Sequence, residues 1–222
     1  MTRLRVHAFI REKIFKDSLQ DIFCRIYQKS SWGNKESISG PGSDITQTTI
    51  IRKDIAKLIK KLNINSLLDA PCGDFYWLKE VDLRLNRYIG ADIVPELVAA
   101  NERRHGSERR AFVVLDITKD DLPQSDLILC RDCLVHLSLR AAVEALRNFK
   151  RSGSIYLLTT TYPGHVKKNK ELMITGNWRP LDLQLPPFSL PKPIRIINEG
   201  CTEKGDYKEK SLCLWKLTEC QI

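Results

Sequence analysis

Three aspartates follow one another through the middle of the chain, Asp69, Asp92 and Asp116, each where a short apolar run ends. The first opens Asp69-Ala-Pro-Cys-Gly73, in which leucines give way to turn formers. A glycine at such a turn lets the backbone approach a ligand closely, and a helix starting there would offer free amides to a polar or anionic group. The paired glycines of a dinucleotide fingerprint are absent. Asp92 lies 19 residues beyond Gly73, a spacing at which a carboxylate ending the next strand accepts hydrogen bonds from both hydroxyls of a ribose. Three acids at three successive strand ends would meet at the carboxyl edge of a sheet, where open α/β folds bind ligands.

A second group follows the fourth apolar run, Cys130-Arg-Asp-Cys-Leu-Val-His136. His136, with an ordinary pKa near ~6.5, is a candidate general base; the other reading is a helix-terminal histidine bonded to backbone. Asp132 could orient His136, contact a cofactor, or cap the next turn. Arg131 could meet a substrate anion or form a structural ion pair. Cys130 and Cys133 form a CxxC, but no second CxxC or histidine pair completes a zinc set, and the seven cysteines lack a framework. They read as structural thiols of a reducing cytoplasm, with no metal. Between residues 162 and 191, Tyr162, Trp178, Arg179 and Phe188 could wall an acceptor site, since tryptophan and arginine suit planar or anionic groups. The alternative is a hydrophobic plug over the sheet edge. His165, among three lysines, reads as exposed.

The elements that must position these residues emerge from periodicity. Apolar runs at 66–70, 87–92, 112–117, 127–130 and 155–160 alternate with helical patterns at 75–81, 95–105 and 139–151. Such alternation gives βαβ units and a parallel sheet. Runs at 194–198 and 212–217 add an antiparallel pair, making seven strands. Upstream, Ile10, Ile14, Phe15, Leu19, Ile22, Phe23 and Ile26 fall at helical spacing. A Gly/Ser-rich stretch from Trp32 to Ser43 follows, and Thr48 or Thr49 caps a helix whose Ile51, Ile55, Leu58, Ile59 and Leu62 share one face. The organisation is therefore a helical and Gly/Ser-rich cap, 1–48, on an α/β domain, 49–222, with helices on both faces of the sheet.

At 222 residues and 42% hydrophobic content the chain suits one α/β domain. No apolar run reaches the roughly 20 residues of a membrane span. The basic start lacks the apolar core of a secretory signal and is only faintly like a transit peptide. A formal charge of +9 suits an anionic small substrate by its field. Nucleic acid is disfavoured, because the basic residues near 57–61, 103–110, 147–151 and 167–170 form no single stripe with interleaved aromatics.

From residue 65 to 217 the chain resembles the class I S-adenosylmethionine-dependent methyltransferases, a Rossmann-like fold. The resemblance implies that Asp69, Ala70 and Gly73 border the methionine part of the cofactor. By the same likeness Asp92 with Ile93 holds the ribose, Asp116 with Ile117 lies along the adenine, and Arg131 faces the methionine and the acceptor. The first motif departs from the family's Gly-x-Gly, keeping only Gly73. Ser43 and Thr48 become candidate contacts from a stretch that closes over the cofactor. Trp32-Gly33, Ser39-Gly-Pro-Gly-Ser43, Asp69-Ala-Pro-Cys-Gly-Asp74 and Trp178-Arg-Pro-Leu-Asp182 with Pro187-Phe188 are further similar to small bacterial methyltransferases. That group occurs among surface-polysaccharide genes, including those that modify capsule with methyl phosphoramidate. The expected activity is cytoplasmic O-methylation of a small anionic or carbohydrate-related acceptor. The other readings are RNA or protein methylation, disfavoured because Asn/Asp-Pro-Pro-Tyr is absent at the fourth strand, and a non-catalytic cofactor-binding protein.

Overall fold

The computed structural model describes residues 17–202 and 207–222. Ile10, Ile14 and Phe15 of the N-terminal apolar pattern lie outside the described residues.

Seven strands form one sheet: β1 Ser66–Asp69, β2 Arg87–Asp92, β3 Arg110–Val114, β4 Leu127–Cys130, β5 Tyr156–Thr161, β6 Arg195–Asn198 and β7 Ser211–Lys216, in the order β3-β2-β1-β4-β5-β7-β6. β1 to β5 run parallel, and β7 is antiparallel to both β5 and β6. The last two strands are thus the antiparallel pair that the sequence predicts, with β7 the one reversed strand. This is the Rossmann-like, mostly parallel seven-stranded architecture. Pairing of Asp69 with Gly90 and Leu129 brings the carboxyl ends of β1, β2 and β4 level.

Successive strand residues point to opposite faces, and both faces are covered. Helix α1 is Leu19–Gln28, α2 Thr49–Leu62, α3 Pro95–His105 and α4 Leu139–Arg151. Ile51, Ile55, Leu58 and Ile59 of α2 pack with Leu67, Leu129 and Leu158 on one face. Ala142, Ala145, Leu146 and Phe149 of α4 pack with Leu68, Ile128 and Leu157 on the other. Each fully buried Leu, Ile or Phe stabilises the fold by about 1.5–3 kcal/mol. Ser138 caps α4 by accepting from the Ala141 amide at 3.1 Å, and Gly153 follows its end at φ 73°, the bracketing expected of this helix. Among the described residues, no helix is long and apolar enough to cross a membrane.

Two elements differ from expectation. In place of a helix over 75–81 there is one 3-10 turn, Leu78–Glu80. Phe75 takes the left-handed conformation, φ 56°, which no helix start tolerates, and its ring fills the space between Tyr88 and Phe112 at centroid distances of 5.1 and 5.3 Å. The glycine turn after β1 therefore has no helix N-terminus behind it. β3 ends at Val114, so Asp116 lies two residues past its strand, in a turn closed by its own carboxylate.

Candidate functional site

The carboxyl ends of β1, β2 and β4 open into a cleft of about 840 Å³, its solvent-open mouth included. Asp69, Gly73, Asp74, Asp92, Arg131 and Asp132 line it from the sheet edge; Phe23, Ile26 and Tyr27 of α1, with Trp32, Ile38, Ser39 and Ser43, form the opposite wall. The amide of Gly73 donates to Asp92 Oδ2 at 3.1 Å and that of Val94 to Oδ1 at 3.0 Å. Each carboxylate oxygen keeps a lone pair for a ligand hydroxyl. Burial pushes Asp92 up to about 6, the amides opposing it. Asp69 accepts the Tyr88 hydroxyl at 2.7 Å, and burial pushes it up to about 7.

Gly73 has φ 54°, and a Cβ there would strike the Ser39 hydroxyl. That hydroxyl accepts the Asp74 amide at 3.0 Å, while the Asp74 carboxylate accepts from Ser37 Oγ at 2.9 Å, the Ile38 amide at 3.0 Å and Ser39 Oγ at 3.1 Å. Asp74 thereby clamps the Gly/Ser-rich stretch over the turn. Sequence reasoning missed Asp74 and Ser39, whose signal was an acid directly after Gly73 facing a Ser-x-Ser in a glycine-rich segment.

A second, largely apolar slot of about 420 Å³ shares Phe23, Pro71 and Asp92 with the first and is walled by Ile93, Leu115, Asp116, Ile117, Thr118 and Leu137. Asp116 Oδ1 accepts the Thr118 amide at 2.9 Å and hydroxyl at 2.6 Å. Asp69, Gly73, Asp92, Ile93, Asp116 and Ile117 are thus brought to one continuous recess, with Ser43 on its wall. Ala70 and Thr48 are not. The Ala70 side chain is in the core and its amide donates to Leu129 O at 2.8 Å; Pro71 and Cys72 line the cleft instead. Thr48 precedes α2 fully buried, and its hydroxyl donates to Asp44 O at 2.9 Å.

At the β4 end, Arg131 settles as a structural ion pair that also lines the cleft. Its Nη2 donates to Glu199 Oε2 at 2.6 Å and to Gly42 O at 2.7 Å, and Nη1 is 3.4 Å from Asp132. Lys210 donates to Asp132 Oδ2 at 2.6 Å and stands 3.5 Å from Glu199 Oε2. Two cations and two anions thus neutralise one another in a buried quartet. Asp132 has φ 50°. Burial raises its carboxyl, but the Lys210 and Arg131 charges more than offset this and hold it well below the usual carboxylate range. Of the roles open to it, Asp132 takes that of an ion-paired carboxylate on the cleft wall, its negative charge acting on His136.

His136 ends the 3-10 turn Leu134–His136, directly behind Trp32, the two rings 4.5 Å apart. Its Nδ1 is 3.0 Å from Asn177 O. A carbonyl only accepts, so Nδ1 carries the proton and Nε2 the lone pair. Burial lowers its pKa, the Asp132 charge partly opposing. The backbone-bonded reading is the one the contact shows, Nε2 keeping its lone pair, and His136 is not among the residues that line the cleft or the slot.

The segment after β5 divides. Arg179 donates to four backbone carbonyls, those of Lys170 (2.7 Å), Leu134 (3.3 Å), Val135 (2.9 Å) and Leu137 (2.7 Å). With its donors so occupied it staples the backbone; it lines not the cleft but a separate basic groove with His165, Lys167, Lys168 and Lys170. Phe188 lies in the core with Leu181, Leu183 and Leu190, the plug rather than the wall. Tyr162 is fully buried, edge-on to Trp178 at 5.7 Å, and Trp178 is 5.1 Å from Tyr207; none of the three lines the cleft. The cysteines of the described chain are free thiols, and Cys133 sits on the apolar slot.

No family model matches the sequence, and no curated protein matches it. Solved structures do. Human N-acetylserotonin methyltransferase in complex with SAM superposes with a TM-score of 0.60 at 13% identity, over 91% of this chain and 60% of that one. The chain therefore spans well under two thirds of that enzyme's length. The methyltransferase domain of bacterial CtHen1-C gives 0.58 at 10% identity, over 78% of this chain and 98% of that one. The N-methyltransferase NodS from Bradyrhizobium japonicum, in complex with S-adenosyl-L-homocysteine, gives 0.58 at 12% identity over 86% and 97%. Likeness at this identity establishes the shared fold.

Proposed function

We propose that this chain is an S-adenosylmethionine-dependent methyltransferase that methylates a hydroxyl of a small anionic or carbohydrate-related acceptor. The observation that carries the reading is Asp92. It stands at the junction of a polar cleft and an apolar slot, with both carboxylate oxygens held by backbone amides and still able to accept. That arrangement fits an adenosine, the ribose hydroxyls on Asp92 and the base in the slot beside Ile93, Asp116 and Ile117. Gly73, where a Cβ would collide with Ser39, leaves room for the close approach of the amino-acid end, with Asp69 beside it. Several of the fold's neighbours were solved with SAM or S-adenosyl-L-homocysteine.

When bound, the cofactor supplies an electrophilic methyl on a sulfonium. The chain's own task is to align the acceptor and remove its proton. The neutral His136 Nε2 takes that proton, and the Asn177 carbonyl stabilises the imidazolium that results. Asp132, its carboxyl held well below the usual range by Lys210 and Arg131, adds negative charge on the cleft wall, and His136 stands behind Trp32, which lines that wall. We extend the reading to surface-carbohydrate chemistry in the cytoplasm on the resemblance of Trp32-Gly33, Asp69–Asp74 and Trp178–Asp182 to small methyltransferases of that kind. Calorimetric titration with S-adenosyl-L-homocysteine tests the cofactor; absence of binding ends the proposal. A methyl-transfer screen over phosphorylated and nucleotide-activated sugars tests the acceptor, and turnover of RNA or protein alone would replace it.

A further inference from the structure

We infer that the groove formed by His165, Lys167, Lys168, Lys170 and Pro180 binds the phosphate portion of the acceptor. The inference rests on the methyltransferase reading and names its substrate class: a phosphate-bearing small molecule.

The groove is open to solvent and its lysine side chains are exposed. Among the described residues, no acid pairs with Lys167, Lys168 or Lys170; Glu209 is engaged by His165 at 3.1 Å, and Glu171 accepts the Leu139 amide with both oxygens, at 3.0 and 3.1 Å. Three cations within four residues, with no acid paired to them among the described residues, set up a local positive field that attracts an anion.

The backbone beneath them is held rigidly. Asn169, between the second and third lysine, donates to the carbonyls of Asp182 (2.9 Å), Leu185 (3.3 Å) and Pro186 (3.0 Å) and accepts the Asp182 amide at 2.9 Å. Arg179 grips Lys170 O at 2.7 Å, and the Gly164 amide donates to Asp182 Oδ2 at 2.8 Å. A loop fixed at this many points presents its lysines without first paying to order the backbone.

Its place in the fold suits an acceptor. The loop leaves the carboxyl end of β5, neighbour of β4, on the same sheet edge as the cleft. Tyr162, the first residue after β5, packs its ring 6.1 Å from that of His165, and Asp132, which lines the cleft, follows β4, the strand beside β5. A molecule held by its phosphate over the lysines lies at the sheet edge onto which the cleft opens.

The test is calorimetric titration of the full chain with inorganic pyrophosphate at low salt, with and without S-adenosyl-L-homocysteine. Two variants are compared, Lys167→Glu/Lys168→Glu/Lys170→Glu and, on α2, Lys57→Glu/Lys60→Glu/Lys61→Glu. Each reverses three charges and lowers the formal net charge from +9 by the same amount. The groove variant should bind pyrophosphate about tenfold more weakly, the α2 variant within about twofold of wild type, and all three should bind S-adenosyl-L-homocysteine alike. No pyrophosphate binding by wild type, or equal losses in both variants, overturns the inference. So does tighter binding of a short single-stranded RNA, with a steep salt dependence that the groove variant removes. Loss of S-adenosyl-L-homocysteine binding by wild type would instead sink the methyltransferase reading and leave the pyrophosphate result legible.

Discussion

The Gly73 amide and the Asp92 carboxylate are hydrogen-bonded at 3.1 Å, which joins the turn after β1 to the end of β2 in a single ligand-facing unit. Asp92→Asn keeps the shape but replaces one acceptor oxygen by an amide nitrogen, which can accept neither a ligand hydroxyl nor the Gly73 or Val94 amide it would face. Affinity for S-adenosyl-L-homocysteine should fall by roughly 10- to 100-fold, since hydrogen bonds to a charged group are each worth about 1.5–3 kcal/mol. Titration calorimetry that returns wild-type affinity for a folded variant removes the ribose assignment.

Protonation of the two buried acids has opposite consequences for folding and for binding. Asp69 and Asp92 are raised by burial from 3.8 to about 7 and about 6. The folded chain therefore holds extra protons between about pH 4 and 7, and the stability they contribute is lost as pH rises through those values. Asp69→Asn cannot ionise, so it should gain on wild type between pH 5 and pH 8, by roughly 2 kcal/mol. Urea melts without cofactor read the difference; the same offset at both pH values contradicts it. Ligand affinity runs the other way and should decline below about pH 6, where Asp92 protonates and stops accepting fully.

His136→Gln should lower the methyl-transfer rate by about 10²–10⁴-fold while calorimetric cofactor affinity stays near wild type. Because burial lowers the imidazole pKa, the wild-type rate should climb with pH through a midpoint below 6.5. A rate unchanged at every pH would leave His136 only its contacts with Trp32 and Asn177.

Arg179→Ala takes the side-chain donor from the carbonyls of Leu137 and Lys170, while those of Leu134 and Val135 keep the amides of Leu137 and of residue 179. The expected loss is about 3 kcal/mol, seen as a fall in Tm of roughly 6–12 °C. A change in acceptor KM with unaltered Tm would restore Arg179 to the binding site.

Asp74→Ala should free the stretch around Ser37–Ser39 without unfolding the sheet. Limited proteolysis ought to cut near residues 33–43 faster than in wild type, and cofactor affinity ought to drop with it. Unchanged cleavage would mean that other contacts hold the segment.

The parallel strands were legible because runs such as Leu127–Cys130 are apolar on both faces, a pattern that only a doubly covered sheet explains. The acids were legible from the same logic, since strand ends fix them on one edge. What stayed hidden depends on contacts far apart in sequence. Arg131 meets Glu199 across 68 residues and Lys210 meets Asp132 across 78, and no local spacing marks either pair. Phe75 looked like the start of a helix because its left-handed backbone is imposed by ring packing against Tyr88 and Phe112. Arg179 and Phe188 have the residue types of a binding wall; only the carbonyls and leucines around them reveal a structural role.

The sheet order places β7, the last strand in the chain, between β5 and β6. Among the described strands β6 pairs only with β7, so β6 joins the sheet through residues 211–216 alone. Lys210, adjoining that strand, delivers the countercharge to Asp132. The attachment of β6 to the sheet and the charged wall of the cleft thus depend on one stretch of chain, residues 210–216.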